Sequence, residues 1–353
     1  MFEKFVVILN PNRLWTFTSN NATKQRSINS FSFITKLLHI GDDSNAKVLK
    51  IILTNERVRA PFFTFLPNNY LLVHHYFKIM VTNKNDISVI LSTYNQPEWL
   101  KKTLLGYEMQ NVKNFELIIA DDGSTDETKR LIEDFSKKLS YDVKHVWHED
   151  KGFRKCAILN AAIKESRTDY LLFSDGDCIP HNDFIKTHLL YRRKNHFLSG
   201  GYFKLPLELS NAITLEDICN ANCFDIQWLR KHGLHNSFKN NKLTAGKTKA
   251  WILNHFTPTK ATWNGHNASG WKADIVAANG FDERMEYGGE DRELGERMIN
   301  SGIKSIQIRY SAICIHLHHS RGYVTEAALQ RNKEIRMYTR KYKITQTEFG
   351  LAT

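Results

Sequence analysis

From Ile87 onward the chain alternates continuous apolar runs with amphipathic stretches. ISVILSTYN, beginning at Ile87, has the unbroken apolar character of a strand buried on both faces. Pro97 follows where a helix can begin, and Trp99, Leu100, Leu104 and Leu105 recur at helical spacing. FELIIADDGSTDE predicts a second strand ending at Asp121, with Ser124 or Asp126 capping a helix that runs through Phe135. VKHVWHED predicts a third strand, and RKCAILNAAIKES a helix that turns Cys156, Ile158, Leu159, Ala162 and Ile163 inward. The run from Tyr170 to Ser174 is too short for an ordinary helix and ends in Asp175-Gly176-Asp177, so it reads as a fourth buried strand. Strand, helix, strand, helix implies right-handed parallel crossovers, which bring the carboxyl ends of the strands to one edge. In open α/β sheets that edge is where ligands sit. No GxGxxG accompanies it.

Beyond Pro180 come a helix, DFIKTHLLYRRK, and a strand within HFLSGGYFKL. Residues 206–260 break the alternation with mixed helical pieces, expected as an insertion over the functional edge of the sheet. The sheet pattern resumes at ATWNGHNASGWKADIVAANGFDE. YGGEDRELGERMINSG predicts two loosening glycines, then a helix with Glu290 and Asp291 in its first turn, closed by Gly302. IKSIQIRYSAICIHLHH reads as two short strands ending in histidines. The expected organisation is an N-terminal extension of uncertain order (1–80), a main domain (81–325) and a basic helical tail (326–353). The main domain divides into a nucleotide-binding half (86–205), the insertion (206–260) and a catalytic half (261–325). Residues 1–80 mix polar clusters with short apolar pieces and show no sustained period, which suggests a poorly structured extension, with Met80 as an alternative start. In the tail, Tyr338 and Tyr342 are expected as core contacts.

Charge narrows the partners. The 353-residue chain has a formal net charge of +12, which favours nucleic acid, an anionic membrane surface or phosphorylated substrates. No aromatic-interleaved basic sheet, helix-turn-helix or zinc-finger signature supports nucleic acid. No apolar run approaches about eighteen residues, and MFEKFVVILN lacks the apolar centre and cleavage site of a signal peptide. The expectation is a cytoplasmic protein whose basic surface touches the inner membrane face. The five cysteines lie mostly inside apolar runs and are expected to be reduced. Cys219, Cys223, His232 and His235 have a gap too short for an ordinary zinc finger, so helical packing is the better reading.

Three groups of chemistry-bearing residues fall at predicted strand or loop ends: Asp175 with Asp177, Glu290 with Asp291, and His316 with His318 and His319. Carboxylate oxygen mixed with imidazole nitrogen suits Mn2+ better than calcium. A set of Asp177, His316 and His319 would leave positions open for two phosphate oxygens. The residues alone leave open a transferase, a metal-dependent hydrolase of a sugar-nucleotide or phosphorylated substrate, and a noncatalytic nucleotide-sugar-binding module.

ISVILSTYN, IIADDGSTDET and SDGDCIP, in this order, resemble family 2 glycosyltransferases of the GT-A fold. NGFDERMEYGGEDRELGERM resembles the C-terminal catalytic segment of the β-1,4-galactosyltransferase group. The resemblance covers about residues 86 to 322 and implies an α/β fold, a mostly parallel nucleotide-binding sheet flanked by helices. It places Thr93, Tyr94 and Asn95 at the nucleotide and Asp122 at the base, uracil above all. It puts Asp175 near the ribose or a metal water, and Asp177, His316 and His319 on the metal, Mn2+ or Mg2+. Asp291 falls on the catalytic base and Glu290 beside it for sugar hydroxyls. Tyr287 stands where the galactosyltransferase group has a sugar-stacking tryptophan. Arg154 or Lys155 would add positive charge at the diphosphate. Trp263, Asn264, His266, Asn267 and Trp271 are candidates for the sugar pocket. The implied activity is inverting transfer from a nucleotide-sugar, UDP-linked, to a saccharide or glycolipid acceptor in polysaccharide biosynthesis.

Overall fold

The computed structural model describes the strands within residues 5–52, residues 85–320 and residues 324–352. The chain divides into two units, residues 1–80 and 81–353. In the first, β1 (Phe5–Ile8), β2 (Thr16–Ser19), β3 (Ala22–Thr23), β4 (Lys36–Asp43) and β5 (Ala46–Ile52) form an antiparallel sheet in the order β3-β2-β1-β5-β4. The rest of residues 1–80, on which the expectations of a poorly structured extension and of a start at Met80 bear, lies outside the described residues.

The second unit opens with the expected alternation: β6 (Ile87–Thr93), α1 (Pro97–Glu108), β7 (Phe115–Asp121), α2 (Asp126–Ser136), β8 (Asp142–Trp147), α3 (Lys155–Glu165) and β9 (Tyr170–Asp175). Then follow β10 (Cys178–Pro180), α4 (Phe184–Tyr191), β11 (His196–Ser199) and β12 (Gly201–Lys204). Five short α-helices, α5 (Leu207–Ala212), α6 (Leu215–Cys219), α7 (Ile226–Lys231), α8 (Asn241–Thr244) and α9 (Lys247–Phe256), and two 3-10 turns, Asn222–Phe224 and Phe238–Asn240, make the insertion. The chain closes with β13 (Ala268–Trp271), α10 (Lys272–Ala277), α11 (Glu290–Asn300), β14 (Lys304–Gln307), β15 (Ile313–His316) and α12 (Glu326–Lys341).

The main sheet has the order β14-β11-β13-β9-β6-β7-β8. β9, β6, β7 and β8 are mutually parallel, as are β11 and β14, while β13 runs antiparallel to both of its neighbours. This is the expected α/β class with a mostly parallel sheet. All seven residues of β6 and of β7 are buried, because helices cover both faces. Ile87, Val89 and Leu91 pack with Leu100, Leu104 and Phe184 on one face, while Ile90, Ile118 and Phe173 pack with Leu159, Leu294 and Met298 on the other. Gly295 lets α11 close on Trp263, since a Cβ there would come 2.6 Å from the Trp263 Cβ.

HFLSGGYFKL, read as one strand, is two. β11 belongs to the main sheet and β12 to a separate three-stranded sheet, β10-β15-β12. Gly201 opens β12, where a Cβ would collide with the Arg309 carbonyl at 2.2 Å. The insertion covers this second sheet, with Leu209, Ile213, Ile218 and Leu229 against Ile179, Ile315 and Leu317. Cys223 is buried in that cluster, Cys219 is exposed, and the His232 ring stacks on Trp228 at 3.9 Å.

Two expectations fail locally. Neither Ser124 nor Asp126 caps α2: the N-cap is Thr125, with no side-chain bond, because Ser124 Oγ already accepts from the Asn95 N–H at 2.9 Å. Tyr338 and Tyr342 are not core contacts but 58% and 55% exposed, since the buried positions of α12 are Ala328, Asn332 and Thr339.

One buried charge ties α11 to the turn that follows α10. Arg297 is fully buried, bonds both Glu293 oxygens at 2.9 Å and donates to the carbonyls of Ala278 and Gly280. Arg297→Ala leaves Glu293 buried without its cation and is expected to cost about 3–5 kcal/mol in urea unfolding. Pairing it with Glu293→Leu should recover much of that loss; a single-variant loss under about 1 kcal/mol would show that the pair is not load-sharing.

Candidate functional site

The parallel strands β6, β7, β8 and β9 end together, so Thr93, Asp121, Trp147 and Asp175 mark one edge. The loops are cross-tied there: Asp122 N–H donates to Thr93 O at 3.0 Å and Gly176 N–H to Ser92 O at 2.7 Å. Thr93 Oγ1 is buried without a hydrogen-bond partner. Asn95 Oδ1 accepts from Thr125 N–H, and the exposed Tyr94 donates its hydroxyl to Asp150. Of the three, Thr93 alone keeps a buried polar atom uncommitted.

Asp122 is 7% exposed. His148 Nε2 lies 2.7 Å from its Oδ1, and the Arg154 N–H donates to its Oδ2 at 3.1 Å. Burial raises its pKa against the pull of those two donors. Thus Arg154 serves Asp122 through its backbone, with its side chain exposed. Behind it, His145 Nε2 meets Asp121 Oδ2 at 2.9 Å. The two histidines were missed in the sequence; the available signal was that His148 stands one residue past the carboxyl end of a parallel strand.

The second sheet delivers the metal candidates. Antiparallel pairing of β10 with β15 sets Cys178 opposite His316, so Asp177 and the histidine turn meet. Leu317 N–H donates to Asp177 O at 2.9 Å and fixes the approach. Asp177 Oδ2 stands 3.1 Å from His319 Nε2 and 3.8 Å from His316 Nε2. His316 and His319 direct Nδ1 at the Leu317 and Ser320 carbonyls, at 2.8 and 2.9 Å. A ring whose Nδ1 carries the proton turns an Nε2 lone pair toward the carboxylate, an arrangement that calls for a cation or proton between them. Their ligand atoms lie within 4.8 Å of one another, and ligands about 2.1 Å from an octahedral ion are roughly 3 Å apart. The donor set therefore fits a borderline divalent ion such as Mn2+. His318 is fixed through its backbone, its N–H donating to Ser210 Oγ and its carbonyl accepting from Trp99 Nε1.

Lys155 joins this edge to the acids of α11. Its Nζ donates to Asp175 Oδ1 at 2.7 Å, and Ser92 Oγ donates to the same oxygen at 2.6 Å. Burial alone would lower the Lys155 pKa, but the Asp175, Glu290 and Asp291 carboxylates outweigh it and hold it well above the usual lysine range. Asp175 shifts the opposite way: burial would raise it, yet Lys155 and Ser92 keep it well below the usual carboxylate range. The two partners agree that this pair is ionised.

Gly288 and Gly289, at φ +117° and +94°, lead into α11. Glu290 Oε2 accepts from Gly288 N–H at 2.9 Å, and Asp291 Oδ2 from Gly265 N–H at 2.9 Å. Burial and the neighbouring Asp291 push Glu290 up to about 7. Burial also raises Asp291, against the Gly265 and Arg292 amides and Lys155. Gly265 lies close against both groups: a Cβ there would sit in van der Waals contact, 3.6 Å from Lys155 Nζ and 3.9 Å from Asp291 Oδ2. Tyr287 lies edge-on to Phe153 at 6.2 Å.

The proposed sugar-pocket residues separate. Asn267 is fully buried and committed, accepting at Oδ1 from His188 and donating to the Gly201 and Ala312 carbonyls; it is a structural brace, not a ligand contact. Trp263 is fully buried between Phe173 and Phe197. Trp271 pairs with Tyr170, at the amino end of β9 and away from the functional edge. His266 is placed at the edge, its ring 4.5 Å from Tyr202, and burial lowers its pKa to about 3. Asn264 donates to Ser199 Oγ at 3.2 Å, and its Oδ1 is buried without a partner.

In open α/β sheets the carboxyl edge is where ligands bind, and here that edge carries the carboxylates and histidines described above. Residues 88–204 match the model for glycosyl transferase family 2, and this part of the chain is a family 2 domain. Chondroitin synthase of Escherichia coli is 25% identical over 230 residues, 61% of this chain and 32% of that protein. Chondroitin synthase of Pasteurella multocida is 27% identical over 240 residues, 64% and 24% of the two chains. The chain thus spans about a third and about a quarter of those relatives' lengths. S. aureus TarS 1–349 in complex with UDP-GlcNAc superposes with a TM-score of 0.49 at 17% identity, covering 76% of this chain and 68% of that one.

Calorimetry with Mn2+ alone should show a site that Asp177→Ala abolishes and His319→Ala weakens about 10–100-fold. Unchanged Mn2+ binding in Asp177→Ala would move the metal elsewhere.

Proposed function

We propose that this chain is an inverting, metal-dependent glycosyltransferase that moves a sugar from a UDP-linked donor to a saccharide or glycolipid acceptor in polysaccharide synthesis. The observation that carries the reading is the joining, through Lys155, of the Asp175–Asp177 edge to the Glu290–Asp291 pair. The family 2 match over residues 88–204 and the chondroitin synthase relatives support the class and the polymer setting.

Asp122, held by His148 and the Arg154 amide, is positioned to accept from the base, and Thr93 offers its uncommitted hydroxyl beside it. Asp175, kept ionised by Lys155, can accept from a ribose hydroxyl. Asp177, His316 and His319 would hold the divalent ion, which when bound supplies positive charge for the leaving diphosphate. Asp291 takes the proton of the attacking hydroxyl. Its oxygen is aimed by the Gly265 amide, and its raised pKa makes it a stronger base than an ordinary aspartate. Glu290 lies beside it for sugar hydroxyls, and Tyr287 offers a ring for a sugar face, in the segment that resembles the β-1,4-galactosyltransferase group. A single base opposite the leaving group implies one displacement with inversion, so an α-linked donor gives a β-linked product.

Asp291→Asn should lower turnover by about 10²–10⁴-fold while leaving UDP-sugar affinity within about twofold. Proton NMR of the wild-type product should show the inverted anomer; a retained anomer would overturn the single displacement. The pH profile of kcat/KM carries the sign of the Asp291 shift. The base acts when deprotonated, so the rate falls as pH drops through its raised pKa, and the acid limb lies above the usual aspartate value of about 3.9. Glu290, pushed up to about 7, is still protonated where Asp291 titrates, so Glu290→Gln should leave that limb in place. A limb that persists unchanged in Asp291→Asn would assign the base to another group.

A further inference from the structure

The positive charge of this chain is concentrated in a second place. From Phe238 to Lys260 there are five lysines and no aspartate or glutamate. Lys242 and Lys249 bond neutral acceptors, the Tyr202 carbonyl at 2.7 Å and Asn241 Oδ1 at 2.8 Å. The basic tail differs: Arg331 and Arg336 of α12 are paired with Glu286 and Glu296. The stretch from Phe238 to Lys260 thus carries its lysines with no acid of its own, whereas two of the tail's arginines are held in ion pairs.

The same segment exposes large apolar side chains. On α9, Trp251, Ile252 and Phe256 are 52%, 44% and 74% exposed. The helix itself is pegged down from its other side, where Asn254 donates to Ser311 Oγ at 2.9 Å and accepts from Tyr310 N–H at 2.8 Å. Phe238 is a further 67% exposed. It is tied to α9 through Asn241, which accepts from Lys249 and donates to the Phe238 carbonyl at 2.9 Å. Lys247 and Lys249 stand one turn before the Trp251 and Ile252 pair, and Lys260 follows Phe256 by four residues.

We propose that α9 and the adjoining turn at Phe238 form a docking surface for an anionic lipid bilayer. Tryptophan and phenylalanine enter the headgroup boundary while flanking lysines reach the anionic phosphates. A saccharide is a poorer fit, because it needs a concave site with several convergent hydrogen-bonding groups, whereas α9 offers a convex face with an isoleucine at its middle. The surface adjoins the candidate site: Lys242 bonds the Tyr202 carbonyl, and the Tyr202 ring packs on His266 and His316 at 4.5 and 5.6 Å. On the transferase reading, docking here suits an acceptor carried on a lipid, but the docking does not depend on that reading.

The test is flotation of the full chain with phosphatidylcholine vesicles, with and without about one-third phosphatidylglycerol. Binding should require the anionic lipid and fall with added salt. Replacing Lys247 or Lys249 by Gln should weaken it about fivefold for each lysine. Trp251→Ser with Phe256→Ser should reduce partitioning at least about tenfold, with circular dichroism unchanged because both side chains are exposed. Equal binding to neutral vesicles, or no binding to either, would overturn the proposal. So would salt-sensitive binding that survives loss of both aromatic residues, which would indicate a soluble polyanion. A concentration-dependent dimer in sedimentation, abolished by Phe256→Ser in protein that ignores vesicles, would assign the face to a second copy.

Discussion

The bond from Lys155 to Asp175 is the constraint on which the candidate site depends. It joins the first residue of α3 to the last of β9. Its ammonium also acts on the Glu290 and Asp291 carboxylates of α11 and on Asp122 of the β7 loop. Several acids drawn into one partly buried edge repel one another and resist ionisation. A lysine among them offsets that cost for Asp175, which stays charged, while burial still lifts Asp291 and Glu290. The same cluster thus holds a firmly ionised carboxylate and a pair inclined to take up protons. Acid and base roles separate in this way when neighbouring groups have opposed environments.

Much of this arrangement was legible in the sequence, because parallel crossovers force strand ends to one edge. Once Thr93, Asp121 and Asp175 were read as strand ends, their meeting followed from topology. The pairing of Asp177 with His316 and His319 rested on residue chemistry; what makes it geometric is the antiparallel register of β10 with β15, which no periodicity announces. Lys155 was visible as a positive charge but not as the partner of Asp175, since that contact needs the packing of α3 against the sheet. Trp263 and Asn267 misled for a common reason. Aromatic faces and amides suit sugars, but they suit a core equally well; full burial among aromatic rings marks the second use for Trp263, and burial with filled hydrogen bonds marks it for Asn267. The cap of α2 was misplaced because Ser124 serves a long-range contact with Asn95, where local rules reach only neighbours in sequence.

The insertion gives the fold its second character. Its apolar side closes over the β10-β15-β12 sheet, so the helices that stabilise the histidine turn also present α9 outward. The family 2 match takes in the parallel strands and their carboxyl edge within residues 88–204; the histidine turn, the Glu290–Asp291 pair and the whole insertion lie beyond that span. In physical terms the chain sets a charged, partly buried edge beside a basic, apolar exterior, and Lys242 with Tyr202 links them.

The most direct measurement of the central claim is nucleoside diphosphate release from UDP-sugars with Mn2+ present, taken with and without saccharide acceptors. A base aimed at an acceptor hydroxyl predicts release from one donor that rises at least about tenfold when its acceptor is added, with sugar recovered in the lengthened saccharide. Release at the same rate without any acceptor, with free sugar as product, would contradict the account and make the same acids and histidines a hydrolase.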